Sequence, residues 1–108
     1  MINSYAPIGK GALLVHSYST IINPTSIGEN FRITHCCTVG NSKGGKPVIK
    51  NNVTMHVGSI VFGPIEIGNN VIIGAGAVVS KNVPDNCTVV GNPAYIIKRE
   101  GERLYQKL

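Results

Sequence analysis

Ile49-Lys50-Asn51-Asn52-Val53-Thr54-Met55-His56-Val57-Gly58-Ser59-Ile60-Val61-Phe62-Gly63-Pro64-Ile65-Glu66-Ile67-Gly68-Asn69-Asn70-Val71-Ile72-Ile73-Gly74-Ala75-Gly76-Ala77-Val78-Val79 is the stretch on which the fold turns. An aliphatic or methionine residue returns at every sixth position, at Ile49, Met55, Val61, Ile67, Ile73 and Val79. A second series runs four residues behind it: Val53, Ser59, Ile65, Val71, Ala77, then Val83 and Val89. Upstream the lead series continues at Ile27, Ile33 and Val39, and more loosely at Ile8 and Leu14. A period of six fits neither an amphipathic helix nor the plain alternation of a freestanding strand. It suits short strands joined by tight corners, with the lead residues pointing inward. Gly and Asn accept the corner backbone, as in Gly28-Glu29-Asn30 and Gly68-Asn69-Asn70. Three such sides close a triangular coil of about 18 residues, and hexapeptide sequences are a signature of parallel β-helices. About five coils fit, stacked at the strand spacing into a prism on the order of 24 Å tall.

Two segments break the period. Asn41-Ser42-Lys43-Gly44-Gly45-Lys46-Pro47 reads as a flexible basic loop, residues 41–47, extruded from one corner. Beyond Val90 the pattern stops at Gly91-Asn92-Pro93-Ala94, and a charged end follows. A solenoid needs its ends covered, so this end is expected as a tail or short helix over the last coil. The chain thus divides into a β-helix domain over 1–95 and a basic C-terminal tail over 96–108.

Composition narrows the class. A chain of 108 residues holds one domain, and 43% apolar residues supply a core. Charged residues, at 14%, fall well under the usual ~25%. Thirteen Gly and six Pro exclude a helical bundle, and the wealth of Val and Ile excludes disorder. The longest apolar run, Val71 to Val79, is far short of the ~20 residues of a membrane helix. The N-terminus, Met1 to Pro7, lacks the order of a signal peptide. A cytoplasmic protein without membrane insertion is expected. Cys36, Cys37 and Cys87 show neither a disulfide framework nor a zinc spacing, and read as reduced thiols. Net charge +5 invites an anionic partner, such as nucleic acid, an acidic membrane surface or a phosphorylated cofactor. Because the charge is scattered and not interleaved with aromatics, no nucleic acid is expected.

Three histidines carry the candidate chemistry. His16 and His35 hold the third place of a hexapeptide and His56 the second, so all three are expected on one side of the prism, about a coil apart. They can be exposed strand residues stacked by the period. They can also supply a general base, since imidazole titrates near neutral pH, or part of a metal cluster. Prisms that hold zinc, the gamma-class carbonic anhydrases, use a close histidine pair. None occurs here, and no metal is expected.

Leu14-Val15-His16-Ser17-Tyr18-Ser19-Thr20-Ile21-Ile22-Asn23-Pro24, followed by Ile27-Gly28-Glu29-Asn30, resembles the serine acetyltransferase family of hexapeptide acyltransferases. It is nearest the polysaccharide O-acetyltransferase branch. The likeness continues through Thr38-Val39-Gly40-Asn41, Ile73-Gly74-Ala75-Gly76-Ala77-Val78-Val79 and Val90-Gly91-Asn92-Pro93-Ala94, roughly residues 8 to 99. It implies an all-β, single-stranded, left-handed parallel β-helix that moves acetyl from acetyl-CoA to a hydroxyl. His16 matches the family's catalytic base. Val57 and Ala75 match positions whose backbone contacts the pantetheine arm, and Gly58, Ser59 and Gly76 would keep that groove shallow. Lys43, Lys46, Lys81, Lys98 and Arg99 would meet the CoA phosphates. The family's site lies between protomers, so a homotrimer is implied.

Departures from the family bear on the acceptor. Val15 stands where serine acetyltransferases carry an Asp that holds the amino group of serine, and Lys46 stands where the extruded loop carries a second His. The family's helical N-terminal region and the carboxylate that orients the base have no counterpart in these residues. A sugar or polysaccharide hydroxyl is therefore the expected acceptor, with serine of cysteine biosynthesis the alternative. A non-catalytic binding prism is the further alternative.

Overall fold

The computed structural model describes residues 9–11, 13–14, 21–22, 26–34, 36–40 and 44–108. Among them the only regular elements are strands, fourteen in chain order. One face of the prism stacks β1 (Leu13–Leu14), β4 (Arg32–Ile33), β7 (Thr54–Met55), β10 (Ile72–Ile73) and β12 (Cys87–Val90), all parallel. A second face stacks β2 (Ile21–Ile22), β5 (Thr38–Gly40), β8 (Ile60–Phe62) and β11 (Val78–Val79). The third stacks β3 (Ser26–Ile27), β6 (Val48–Ile49) and β9 (Glu66–Ile67), with a bridge from Ile67 to Val83 above them. The chain visits the faces in turn, and each visit pairs with the one before: a left-handed parallel β-helix.

Both series predicted to point inward do so. Met55, Val61, Ile67, Ile73 and Val79 are fully buried, and so are Val53, Ser59, Val71, Ala77 and Val89. Phe31 and Cys37, also fully buried, extend the second series upstream. Each inward residue lies over its equivalent one turn away, as Met55 lies over Ile73 and Ile73 over Val89. The core is thus a column of stacked apolar layers, each touching mainly its neighbours.

The corners explain the Gly and Asn content. Between the third and first faces, Asn30, Asn52, Asn70 and Asn86 have φ of 58°, 60°, 57° and 60°. Asparagine tolerates this left-handed region better than other side-chain-bearing residues. Its amide then links successive turns: Asn30 Nδ2 donates to Asn52 Oδ1 at 3.0 Å, and Asn70 Nδ2 to Asn86 Oδ1 at 2.9 Å. Beside this ladder runs another, in which the N–H groups of Glu29, Asn51 and Asn69 donate to Asn51, Asn69 and Asp85 side chains. Residues 44–47, the described part of the expected loop, lie in the connection between β5 and β6.

The end of the chain corrects an expectation. Residues 96–108 hold no helix. β13 (Tyr95–Arg99) turns back antiparallel onto β12, and β14 (Glu102–Lys107) pairs antiparallel with β13. The physical reason is the open edge of β12, whose unpaired backbone groups accept a strand more readily than a helix. Tyr95-Ile96-Ile97 has the β-branched and aromatic content to supply one. Ile96 is buried against the last layer, so the hairpin closes that end of the core.

Candidate active site

The corner between the first and second faces carries the residues matched to donor binding. After β7 the chain makes a four-residue turn, in which the Ser59 N–H donates to the His56 carbonyl at 3.2 Å. One turn on, the Ala77 N–H donates to the Gly74 carbonyl at 3.1 Å. In both turns the third residue is a glycine with φ of 71°, Gly58 and Gly76, and this is the arrangement of a type II turn. Val57 and Ala75 occupy the second place of each turn and are exposed, Val57 at 40%. The turns are joined, because the Gly76 N–H donates to the Val57 carbonyl at 3.0 Å. A Cβ placed on Gly76 would meet nothing within 4 Å. Val57, Gly58, Ala75 and Gly76 thus form an open, side-chain-poor strip along one edge of the prism.

Ser59 is not on that strip. It is fully buried, and its Oγ donates to the His56 carbonyl at 2.8 Å, so its hydroxyl secures the turn from inside rather than flooring a groove. Cys37 Sγ donates to the same carbonyl at 3.1 Å. Sequence reasoning missed this three-fold clamp on one carbonyl, although the place of Ser59 in the inward series pointed to it. The His56 ring is exposed beside the strip.

The other expected residues are dispersed. His16, His35 and Lys43 lie outside the described residues, so the expected alignment of three histidines has no structural account here. The strands leading toward it are in register, with Leu14 beside Ile33 and Ile33 beside Met55. Lys46 is exposed and follows the corner between the second and third faces, a different edge of the prism from Val57 and Ala75. Lys81, Lys98 and Arg99 are exposed at the C-terminal end. Within one chain the strip therefore does not meet Lys46. Among the described residues no group of three or more His, Cys, Asp or Glu side chains could hold a metal ion, and no helix is long and apolar enough to cross a membrane.

No family profile matches the chain. Individual proteins do. A serine acetyltransferase of Buchnera aphidicola is 40% identical over 115 residues, covering 98% of this chain and 44% of that protein. One of Synechococcus elongatus is 41% identical over 108 residues, covering 95% and 44%. The crystal structure of Neisseria gonorrhoeae serine acetyltransferase superposes with a TM-score of 0.85 at 35% identity, over 95% of this chain and 41% of that one. A serine acetyltransferase in complex with CoA superposes at 0.82 with 32% identity, over 89% and 41%. The Neisseria enzyme in complex with serine gives 0.80 at 38% identity, over 86% and 40%. The chain spans a little under half the length of these relatives. Carrying their repeat, corners and sequence over nearly its whole length, it belongs to the serine acetyltransferase family, as the counterpart of one segment of those proteins.

Proposed function

We propose that this chain transfers acetyl from acetyl-CoA to the hydroxyl of serine. The observation that carries this reading is the 40% identity with serine acetyltransferases over 98% of the chain, joined to a superposition with a CoA-bound relative. The pantetheine arm would lie along the Val57–Ala75 strip, where small residues leave backbone accessible. His16 would take the proton from the attacking hydroxyl as its oxygen forms a bond to the thioester carbon. Backbone N–H groups would hold the resulting oxyanion, and collapse would expel the CoA thiolate. Lys46, on another edge, would reach the strip of a neighbouring copy, in keeping with a homotrimer whose sites lie between subunits. The cytoplasm would be the setting of this reaction.

A sugar hydroxyl, as in the polysaccharide O-acetyltransferase branch, is the second reading. One observation favours it: Val15 offers no carboxylate to an amino group. The two separate in a single experiment that follows acetyl-CoA conversion to CoA by chromatography. L-serine and a panel of sugars and nucleotide sugars are supplied one at a time. Turnover with L-serine, lowered at least about 10²-fold by His16→Ala, is the expected result. Turnover with sugars alone transfers the assignment to the second reading. Absence of turnover with any acceptor, or an unchanged rate in His16→Ala, overturns the mechanism.

A further inference from the structure

β14 ends the seven-stranded sheet, and among the described residues no strand lies along its outer edge. It is the longest strand described, six residues where β1 to β12 have two to four, and all six are exposed. An edge of that length offers unpaired N–H and C=O groups to another strand. Proline or a bulge would guard it. β14 has no proline, and the irregular step of the hairpin lies in β13, between Ile96 and Lys98. Of the four large apolar side chains exposed among the described residues, Leu104 and Tyr105 are neighbours on this strand.

The order of residues along β14 selects the partner. Side chains alternate along a strand, so Arg103, Tyr105 and Lys107 share one side with Tyr95 and Lys98, while Glu102, Leu104 and Gln106 share the other with Ile96. Two copies that meet edge to edge, antiparallel, are related by a two-fold axis perpendicular to the joined sheet. Residues directly opposite then lie on the same side, so the axis must fall on a residue. Two such registers pair five residues of β14 from each copy. With the axis on Tyr105, Arg103 faces the second copy's Lys107, twice over, and like charges directly opposite are destabilising. With the axis on Leu104, that side chain meets its own equivalent. Glu102 then meets the second copy's Gln106, whose amide can donate to the carboxylate. Arg103 meets the second copy's Tyr105, a cation beside an aromatic ring. No like charges stand directly opposite in this register.

We propose that β14 pairs with β14 of a second copy of this chain, antiparallel and with Leu104 on the two-fold axis, so that two seven-stranded sheets run on into one. Five residues from each copy make a small contact, so the association is reversible and depends on concentration. It joins whatever unit the chain otherwise forms, and it does not rest on the proposed acetyl transfer.

Sedimentation velocity of the full chain over a wide range of concentrations tests the association, and disulfide trapping tests the register. The expected result is a reversible doubling of the mass found at the lowest concentration. Gln106→Glu puts a carboxylate opposite Glu102 twice and should weaken the doubling by on the order of tenfold, whereas Gln106→Lys should tighten it. Both side chains at this position are exposed to solvent in the single copy, so thermal unfolding should not change. In a Cys36→Ser background, which removes the exposed native thiol, Leu104→Cys should form a covalent dimer on oxidation, because directly opposite residues come within reach of a disulfide. Tyr105→Cys should not. A mass that stays the same at every concentration overturns the proposal and leaves the edge to an unlike strand. Doubling indifferent to both Gln106 variants, or trapping through Tyr105→Cys and not Leu104→Cys, overturns it as well.

Discussion

Gly76 offers a test in which stability and donor binding part company. Its φ of 71° puts an alanine in the left-handed region, at a cost of roughly 1–2 kcal/mol. No clash adds to this, since nothing lies within 4 Å of the new Cβ. Gly76→Ala should therefore lose about 1–2 kcal/mol of folding stability, each kcal/mol lowering Tm by about 4–8 °C in a domain of this size. Asparagine tolerates that backbone better, as Asn30, Asn52, Asn70 and Asn86 do on the neighbouring corner. Gly76→Asn should thus be the more stable of the two variants. For a donor lying along the strip the order reverses, because the larger side chain fills more of it. A tenfold rise in the Kd for CoA, about 1.4 kcal/mol, is expected for Ala, and a greater one for Asn. Thermal unfolding gives the first order and calorimetric titration with CoA the second. If the Asn variant binds CoA as well as wild type, the strip is not the donor seat. If the Ala variant loses more than about 3 kcal/mol, the corner is packed against something and the strip is not open.

Further outcomes bear on the scaffold. Ile73 is fully buried between Met55 and Val89, so Ile73→Ala should cost about 2–5 kcal/mol in urea unfolding; a loss under 1 kcal/mol would contradict tight stacking of the layers. Asn70→Ala loses both the left-handed tolerance and the bond to Asn86, whereas Asn70→Gly loses only the bond, so Ala should be the less stable. Equal losses would mean the backbone there is not strained. Among the thiols, exposed Cys36 should alkylate in the native protein, and buried Cys37 and Cys87 only once it unfolds. Burial pushes the Cys87 thiol up, with Arg99 pulling the other way. The folded state then keeps that proton longer than the unfolded chain, and stability should decline as the pH climbs through the thiol range; a Cys87→Ala variant with the same decline would remove Cys87 as its source.

Much of this molecule is written in short-range order. A residue such as Ile67 or Val79 faces inward because every turn repeats the same three-strand path, so the period alone tells inside from outside. Asn and Gly at the corners are legible for the same reason, each answering a local backbone demand. Phe31 and Cys37 follow Ile27 and Ile33 at the spacing by which Val53 follows Ile49, but the break in the period at 41–47 puts them out of phase with that series, and Ser59 was placed on a groove although its series already put it inside.

Other features depend on distance along the chain. Which edge holds Lys46 and which holds Val57 follows from the face each strand joins, and not from composition. The hairpin could not be read from 96–108, because its strands form on the open edge of β12 and strand propensity yields to such context. A register shift between Ile96 and Lys98 then decides that Lys98, Arg103 and Lys107 share a side with Tyr95 and Tyr105. By itself, then, the sequence determined a six-residue period, its inward positions and its corner residues, because those answer to neighbours a few residues away. Only the tertiary structure decided which corners face one another and how the end of the chain closes, because those depend on pairing with strands a whole turn or more distant.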